Sequence, residues 1–299
     1  MGTRIEAVAV VRGRRWPATG ALHLEEEAAR ACLARAGRRA EQVDLLVNAG
    51  IYRDDSTAEP ALASIIQEDI GANPGHPPRH GRHGTFSFDV TNGGAGALTA
   101  AYLVDGFVDP GTARLGLVVA GDADPSPRTS RDFSFAAGAG AILLSHTPDG
   151  EGFERFAFRT FPSFRGLFES RLEWDADLRR NVVHITQAPA FADACVGCAA
   201  RATSELLDAA RMTPGEIDVL ATSQCPERFP ERLARAIGVA PDRVPAVEGD
   251  LARTHTSGII ASLEASVSSG AFSRARNVLL VAVGAGIAVG LALYRRNRG

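Results

Sequence analysis

Apolar positions along this chain follow two alternating periods. Residues 24–37 place Leu24, Ala28, Ala31 and Cys32 on one helical face, with acids and arginines mostly elsewhere. Arg35 interrupts that stripe in its last turn, where its stem still fits along apolar surface. The text then runs AEQVDLLV, with Asp44 opening an apolar strand, and continues into a helix (PALASIIQEDIG) and a strand (TFSFDV). A buried helix over 93–105 and the strand LGLVVAGD follow. The second half repeats this grammar. Residues 195–211 place Cys198, Ala202, Leu206 and Ala209 on one face, and Asp218 opens the next strand, 174 residues after Asp44. PERLARAIG, VPAVEGD, HTSGIIASLEASVSSGAF and NVLLVAVG come next, and an offset of 163 aligns Gly94 with Ser257 and Gly121 with Gly284. Strands alternating with helices predict mostly parallel, helix-covered sheets. Two pseudo-repeated halves, residues 1–146 and 147–299, are expected to pack as one unit through helices rich in Ala and Gly.

The apolar run from Val278 to Tyr294 has two competing readings. Followed by Arg295 and Arg296, it resembles a C-terminal anchor, yet 17 residues span only about 25 Å as a helix. Its Val-rich start and Gly-Ala-Gly centre predict buried strand, tight turn and buried strand. A dinucleotide fingerprint at Gly284, Gly286 and Gly290 fails, because only nine residues follow where a βαβ unit of about 30 is needed.

Composition removes several chemistries. All 32 basic residues are Arg, which excludes Schiff-base, pyridoxal-phosphate and P-loop lysines. A net charge of −3 gives no reason to expect nucleic acid, which needs a concentrated basic face. Four Cys without a secretory leader suit a reducing cytoplasm, and no membrane association is expected.

FDVTNGGAGAL, AAGAGAILL (Ala136 to Leu144), RTHTSG (Arg253 to Gly258) and the Gly284–Gly290 segment occur in that order. With the duplicated halves, they resemble the thiolase superfamily, and within it the ketoacyl-ACP synthase III family. The resemblance covers roughly 40–145 and 190–294 and implies a layered αβαβα fold. It also implies a dimer in which the Thr85–Val90 strand meets its counterpart. The family moves an acyl group from coenzyme A or acyl carrier protein onto a Cys and condenses it with a malonyl thioester, aided by a His and an Asn. Those three positions fall here on Gly94, Ser223 and His255. Gly94 has no side chain to acylate, and Ser223 is a weaker donor than His. The backbone amides of Gly94 and Gly286 match the family's oxyanion donors, although glycines there also serve close packing alone.

Two functional classes follow. The first is a non-catalytic or structural partner of a ketosynthase in polyketide or fatty-acid-type specialised metabolism, as a homodimer or heterodimer. The second is an acyltransferase or thioesterase-like enzyme acting on acyl-CoA or acyl carrier protein through Ser223 and His255, with Asp250 as orienter. No resident cofactor is expected; acyl-CoA or the carrier's phosphopantetheine enters as substrate. The family's longer N-terminal stretch for coenzyme A is shortened here, where Arg12, Arg14, Arg15 and Trp16 read as a solvated basic loop or as a contact for a phosphate and a base. Cys225, two residues past Ser223, is read as buried and inert or as a relocated nucleophile. Cys195 and Cys198 lack a second ligand pair and read as core, so no metal site is expected. His76, His80 and His83, interleaved with Arg79 and Arg82, read as a surface loop or a contact for an acidic carrier.

Overall fold

Each half supplies its own run of apolar strands, and these assemble into two separate sheets. The computed structural model describes residues 2–14, 19–75, 84–108, 113–126, 133–148 and 150–297. In the first half these form β1 (Gly2–Arg12), α1 (Ala21–Arg35), β2 (Leu45–Asn48), α2 (Leu62–Ile70), β3 (Phe86–Asp89), α3 (Gly96–Phe107), β4 (Leu115–Asp122) and β5 (Gly138–Thr147). The second half forms β6 (Gly152–Thr160), β7 (Phe168–Asp175), β8 (Arg180–Gln187), α4 (Phe191–Ala210), β9 (Val219–Thr222), α5 (Phe229–Ile237), α6 (Gly258–Ser268), α7 (Ala271–Arg274), β10 (Asn277–Gly284) and β11 (Ala288–Arg295).

The sheet orders are β1-β5-β4-β2-β3 and β6-β11-β10-β9, so four strands of each correspond in sequence and in place. Successive side chains of a strand point to opposite faces, and here both faces are buried. On β4, Leu117 and Val119 join Leu24, Ala28 and Ile66 in an outer core beneath α1 and α2. Val118 and Ala120 face inward, sharing one core with Leu98 of α3, Ile260 and Leu263 of α6, and Leu280 of β10. Leu279 and Val281 of β10 face the other outer layer, with Ala199, Leu206 and Leu233 of α4 and α5. The result is the expected αβαβα stack, with α3 and α6 in the central layer.

The paired aspartates perform one job twice. Asp44 accepts hydrogen bonds from the Arg114 and Leu115 amides at 2.8 and 3.2 Å, pinning the start of β4. Asp218 accepts from the Arg276 and Asn277 amides at 2.8 and 3.0 Å, pinning the start of β10. These contacts set the offset between halves at 162, one less than the sequence alignment gave, and pair Asp122 with Gly284.

Other expectations shift with the structure. VPAVEGD forms no strand: Pro245 has no amide to give to a ladder, and the segment runs irregularly between 3-10 turns at Pro241–Arg243 and Gly249–Arg253. The second sheet therefore ends at β9. The first helix begins at Ala21 because Asp54 accepts from the Ala21 and Leu22 amides at its N-terminus. Arg35 donates to the Val8 carbonyl and pairs with Glu264 at 3.0 Å. Among the described residues the β7–β8 hairpin has no counterpart in the first half. Val278 pairs with Tyr294 across the β10–β11 hairpin, so the ambiguous apolar run is strand, turn and strand. Among the described residues no helix is long and apolar enough to cross a membrane.

Candidate functional site

A cavity of about 720 Å³ opens between α5, the irregular 241–253 segment and the base of the β7–β8 hairpin. Its walls include Phe135, Gln224, Cys225, His255 and Gly284, with Arg228 and Arg253 also contributing.

The end of β9 decides which side chains reach this space. Ser223 extends the parallel ladder by one step: its amide donates to the Val281 carbonyl at 3.0 Å. Its hydroxyl accepts from the Val283 amide at 3.1 Å. Ser223 is buried and is absent from the cavity walls. The structure thus does not bring Ser223 into hydrogen bonding with His255 among the described residues. Cys225 does line the cavity, and its thiol donates to the Thr254 carbonyl at 3.4 Å. Burial first, and the nearby Asp122 charge second, push that thiol up to about 12, so it stays protonated at neutral pH.

His255 lies on the short link between the Gly249–Arg253 turn and α6. Its ring stacks on Phe135 with centroids 4.4 Å apart, and Tyr52 packs against both rings at 5.6 and 5.5 Å. Burial lowers the imidazole's pKa, against a smaller opposing pull from Asp122, so the ring is neutral at pH 7. Asp250 is paired instead with Arg253 at 3.8 Å.

Gly94 sits in the 93–95 turn that leads into α3, buried against the end of β10. A Cβ at this position would lie 2.3 Å from the Val283 carbonyl oxygen and 3.8 Å from His255 Cε1. The position therefore borders the site, yet the backbone has closed onto a residue without a side chain. Gly286 occupies the turn between β10 and β11 at φ +124°, a conformation that favours glycine. The next residue, Ile287, exchanges two backbone hydrogen bonds with Phe161, which fix that turn.

Asp122 and its neighbours were missed in the sequence. The Asp122 carboxylate accepts from the Ile51 and Tyr52 amides at 3.1 and 2.9 Å and from the Thr256 amide at 2.8 Å. The only sequence signal was an acid closing the apolar strand LGLVVAGD. Behind it, Glu25 is wholly buried against Gly50 and Gly121, with neither carboxyl oxygen hydrogen-bonded. Burial, then the adjacent Asp122 charge, raise its pKa well above the usual 4.5. A raised folded-state pKa means stability falls as pH rises from about 4.5 through the raised value. Glu25→Gln is expected to abolish that decline, measured by denaturant unfolding over a pH series. An unchanged slope would assign it to another group.

The remaining candidates lie elsewhere. Cys195 and Cys198 are buried in the outer core under α4, and burial lifts Cys195 to about 12. Arg12 and Arg14 are exposed; Arg15, Trp16, His76, His80 and His83 fall outside the described residues. Among the described residues no three His, Cys, Asp or Glu are grouped to hold a metal.

Comparison with known proteins agrees with this architecture. Residues 88–161 match the model for 3-oxoacyl-[acyl-carrier-protein] synthase III, and residues 207–296 match that for its C-terminal part. The β-ketoacyl-[acyl-carrier-protein] synthase III of Rhodospirillum centenum is 30% identical over 292 residues, covering 91% of this chain and 83% of the relative. That of Neisseria meningitidis serogroup A is 26% identical over 278 residues, with the same coverages. The crystal structure of the Pseudomonas aeruginosa 3-oxoacyl-(acyl carrier protein) synthase III superposes with a TM-score of 0.80 at 19% identity, covering 100% of this chain and 99% of that one. Xanthomonas campestris OleA, with bound lauric acid and lauroyl-CoA, gives 0.80 at 16% identity and covers 99% of each chain. With its two thiolase-type sheets and its two family-matched segments, the chain belongs to the β-ketoacyl-[acyl-carrier-protein] synthase III family.

Proposed function

We propose that this chain is a non-condensing member of its family, serving as a partner subunit of a ketosynthase in fatty-acid or polyketide-type metabolism in the cytoplasm. One observation carries the reading: at Gly94, where the resemblance puts the family nucleophile, the Val283 carbonyl lies 2.3 Å from where a Cβ would sit. An acyl-enzyme there needs a side-chain nucleophile, and no side-chain atom fits without moving the backbone. The other groups do not replace it. The Ser223 hydroxyl is held by the Val283 amide, and the Cys225 thiol is protonated. The cavity nevertheless stays open, which favours non-covalent occupancy by an acyl-CoA or a carrier-bound phosphopantetheine.

A partner surface is also available. Among the described residues β3 is an edge strand with β2 as its single neighbour in the sheet, and Phe86 on it is 57% exposed. Tyr102 and Phe107 of α3 are exposed at 48% and 40%, unusual for a helix of the central layer. Such a face suits a second thiolase-fold chain, identical or different.

Intact-mass spectrometry after incubation with acyl-CoA tests the reading. The chain is expected to keep its unmodified mass while binding the thioester reversibly. A stable acyl adduct mapped to Cys225 or Ser223 would overturn it.

One observation favours a second reading. A neutral imidazole in a cavity beside the Gly94 turn is suited to general-base chemistry. Acyl transfer or hydrolysis through Ser223 and His255 would require Ser223 to release Val283. In that case His255→Ala would lower thioester turnover by about 10²–10⁴.

A further inference from the structure

We propose that Asp122 is the positioning residue of the cavity: from the first half, its carboxylate holds the His255 link of the second half and the Tyr52 turn that backs the imidazole. The inference rests on reading the His255 cavity as the functional site.

The geometry is specific. One carboxylate oxygen accepts from the Ile51 and Tyr52 amides, at 3.1 and 2.9 Å. The other accepts from the Thr256 amide, at 2.8 Å, and from the Thr256 hydroxyl. Four donors saturate the lone pairs of a carboxylate, and all belong to the two segments that flank His255. Asp122 and Thr256 are both fully buried, so these charge-assisted bonds are shielded from water. Among the described residues the His255 ring makes no hydrogen bond of its own. Its orientation comes from the stack on Phe135, the tilted contact with Tyr52 and the anchored amide of the next residue.

The pseudo-repeat separates this role from scaffolding. The strand-start aspartates Asp44 and Asp218 occur in both halves and act alike. Asp122 does not repeat, because the matching end of β10 carries Gly284. An acid kept at one of two equivalent strand ends, and aimed across the halves, is an adaptation of the site rather than of the sheet.

Site-resolved modification of the full chain with diethyl pyrocarbonate tests this without any ligand. In the unmodified protein His255 should react slowly. In Asp122→Asn and Thr256→Val its rate should rise roughly tenfold relative to His146, a part-buried histidine of β5 that reports general loosening. Thr256→Ser keeps both donors and should retain the slow rate. The Thr256 pair decides the matter if Asp122→Asn does not fold. A His255 rate that moves only in step with His146, or that is the same in the Ser and Val variants, overturns the proposal. Failure of the unmodified chain to bind an acyl thioester would instead sink the reading of the cavity and leave the labelling result standing.

Discussion

Gly94→Cys is expected to lower stability and to leave the protein unable to condense acyl and malonyl thioesters. The new Cβ meets the Val283 carbonyl oxygen at 2.3 Å, and that carbonyl belongs to a strand buried on both faces. Relief requires the 93–95 turn or the end of β10 to move, and overpacking of this kind costs about 1–3 kcal/mol. In a domain of this size that corresponds to several degrees in melting temperature. Adding Ser223→His makes matters worse, because the hydroxyl that accepts the Val283 amide is lost while a larger ring enters a buried position. Thermal unfolding and intact-mass analysis after acyl-CoA treatment check both parts. A variant as stable as the parent, carrying an acyl group on the introduced thiol, would show that the site had merely lost its nucleophile.

The second large effect concerns association. Phe86 packs against Phe88 with ring centroids 5.2 Å apart, and Phe88 packs against the inter-sheet core, so Phe86 projects on the side of the sheet that carries α3. Tyr102 of α3 rests on Phe156 and Phe158 at 5.2 and 5.4 Å with much of its ring in solvent. Two aromatic anchors of about 2 kcal/mol each predict that Phe86→Glu with Tyr102→Glu weakens subunit association by roughly 10²–10³. The fold of the single chain should survive, since both side chains are exposed. Sedimentation at a series of concentrations reads the change. An assembly unaffected by both charges would place the interface elsewhere.

Much of the scaffold was legible because it is written twice. Asp44 and Asp218, each opening an apolar strand after a helix, announced the repeat, and the structure gives each a pair of amide partners at the start of the equivalent strand. The β10–β11 hairpin was legible from its central glycines. Where the halves diverge, the pattern gave less. The β7–β8 hairpin had no counterpart to reveal it, although Leu172 and Trp174 alternate with charged neighbours. At 244–250 the repeat suggested a strand, and Pro245 overrode it.

The site was legible only as positions, not as orientations. Resemblance placed Gly94, Ser223 and His255 in one region, but whether Ser223 faces the cavity depends on one further step of the β9–β10 ladder. Asp122 escaped notice because its partner Thr256 lies 134 residues away, and no local pattern encodes such a contact.

Native mass spectrometry on the protein drawn from its own host tests the central claim most directly. The account predicts a complex of the 31.5 kDa chain with a second thiolase-fold chain that carries the nucleophilic Cys, and condensing activity that resides in that partner. A homodimer that by itself joins acyl and malonyl thioesters would contradict it.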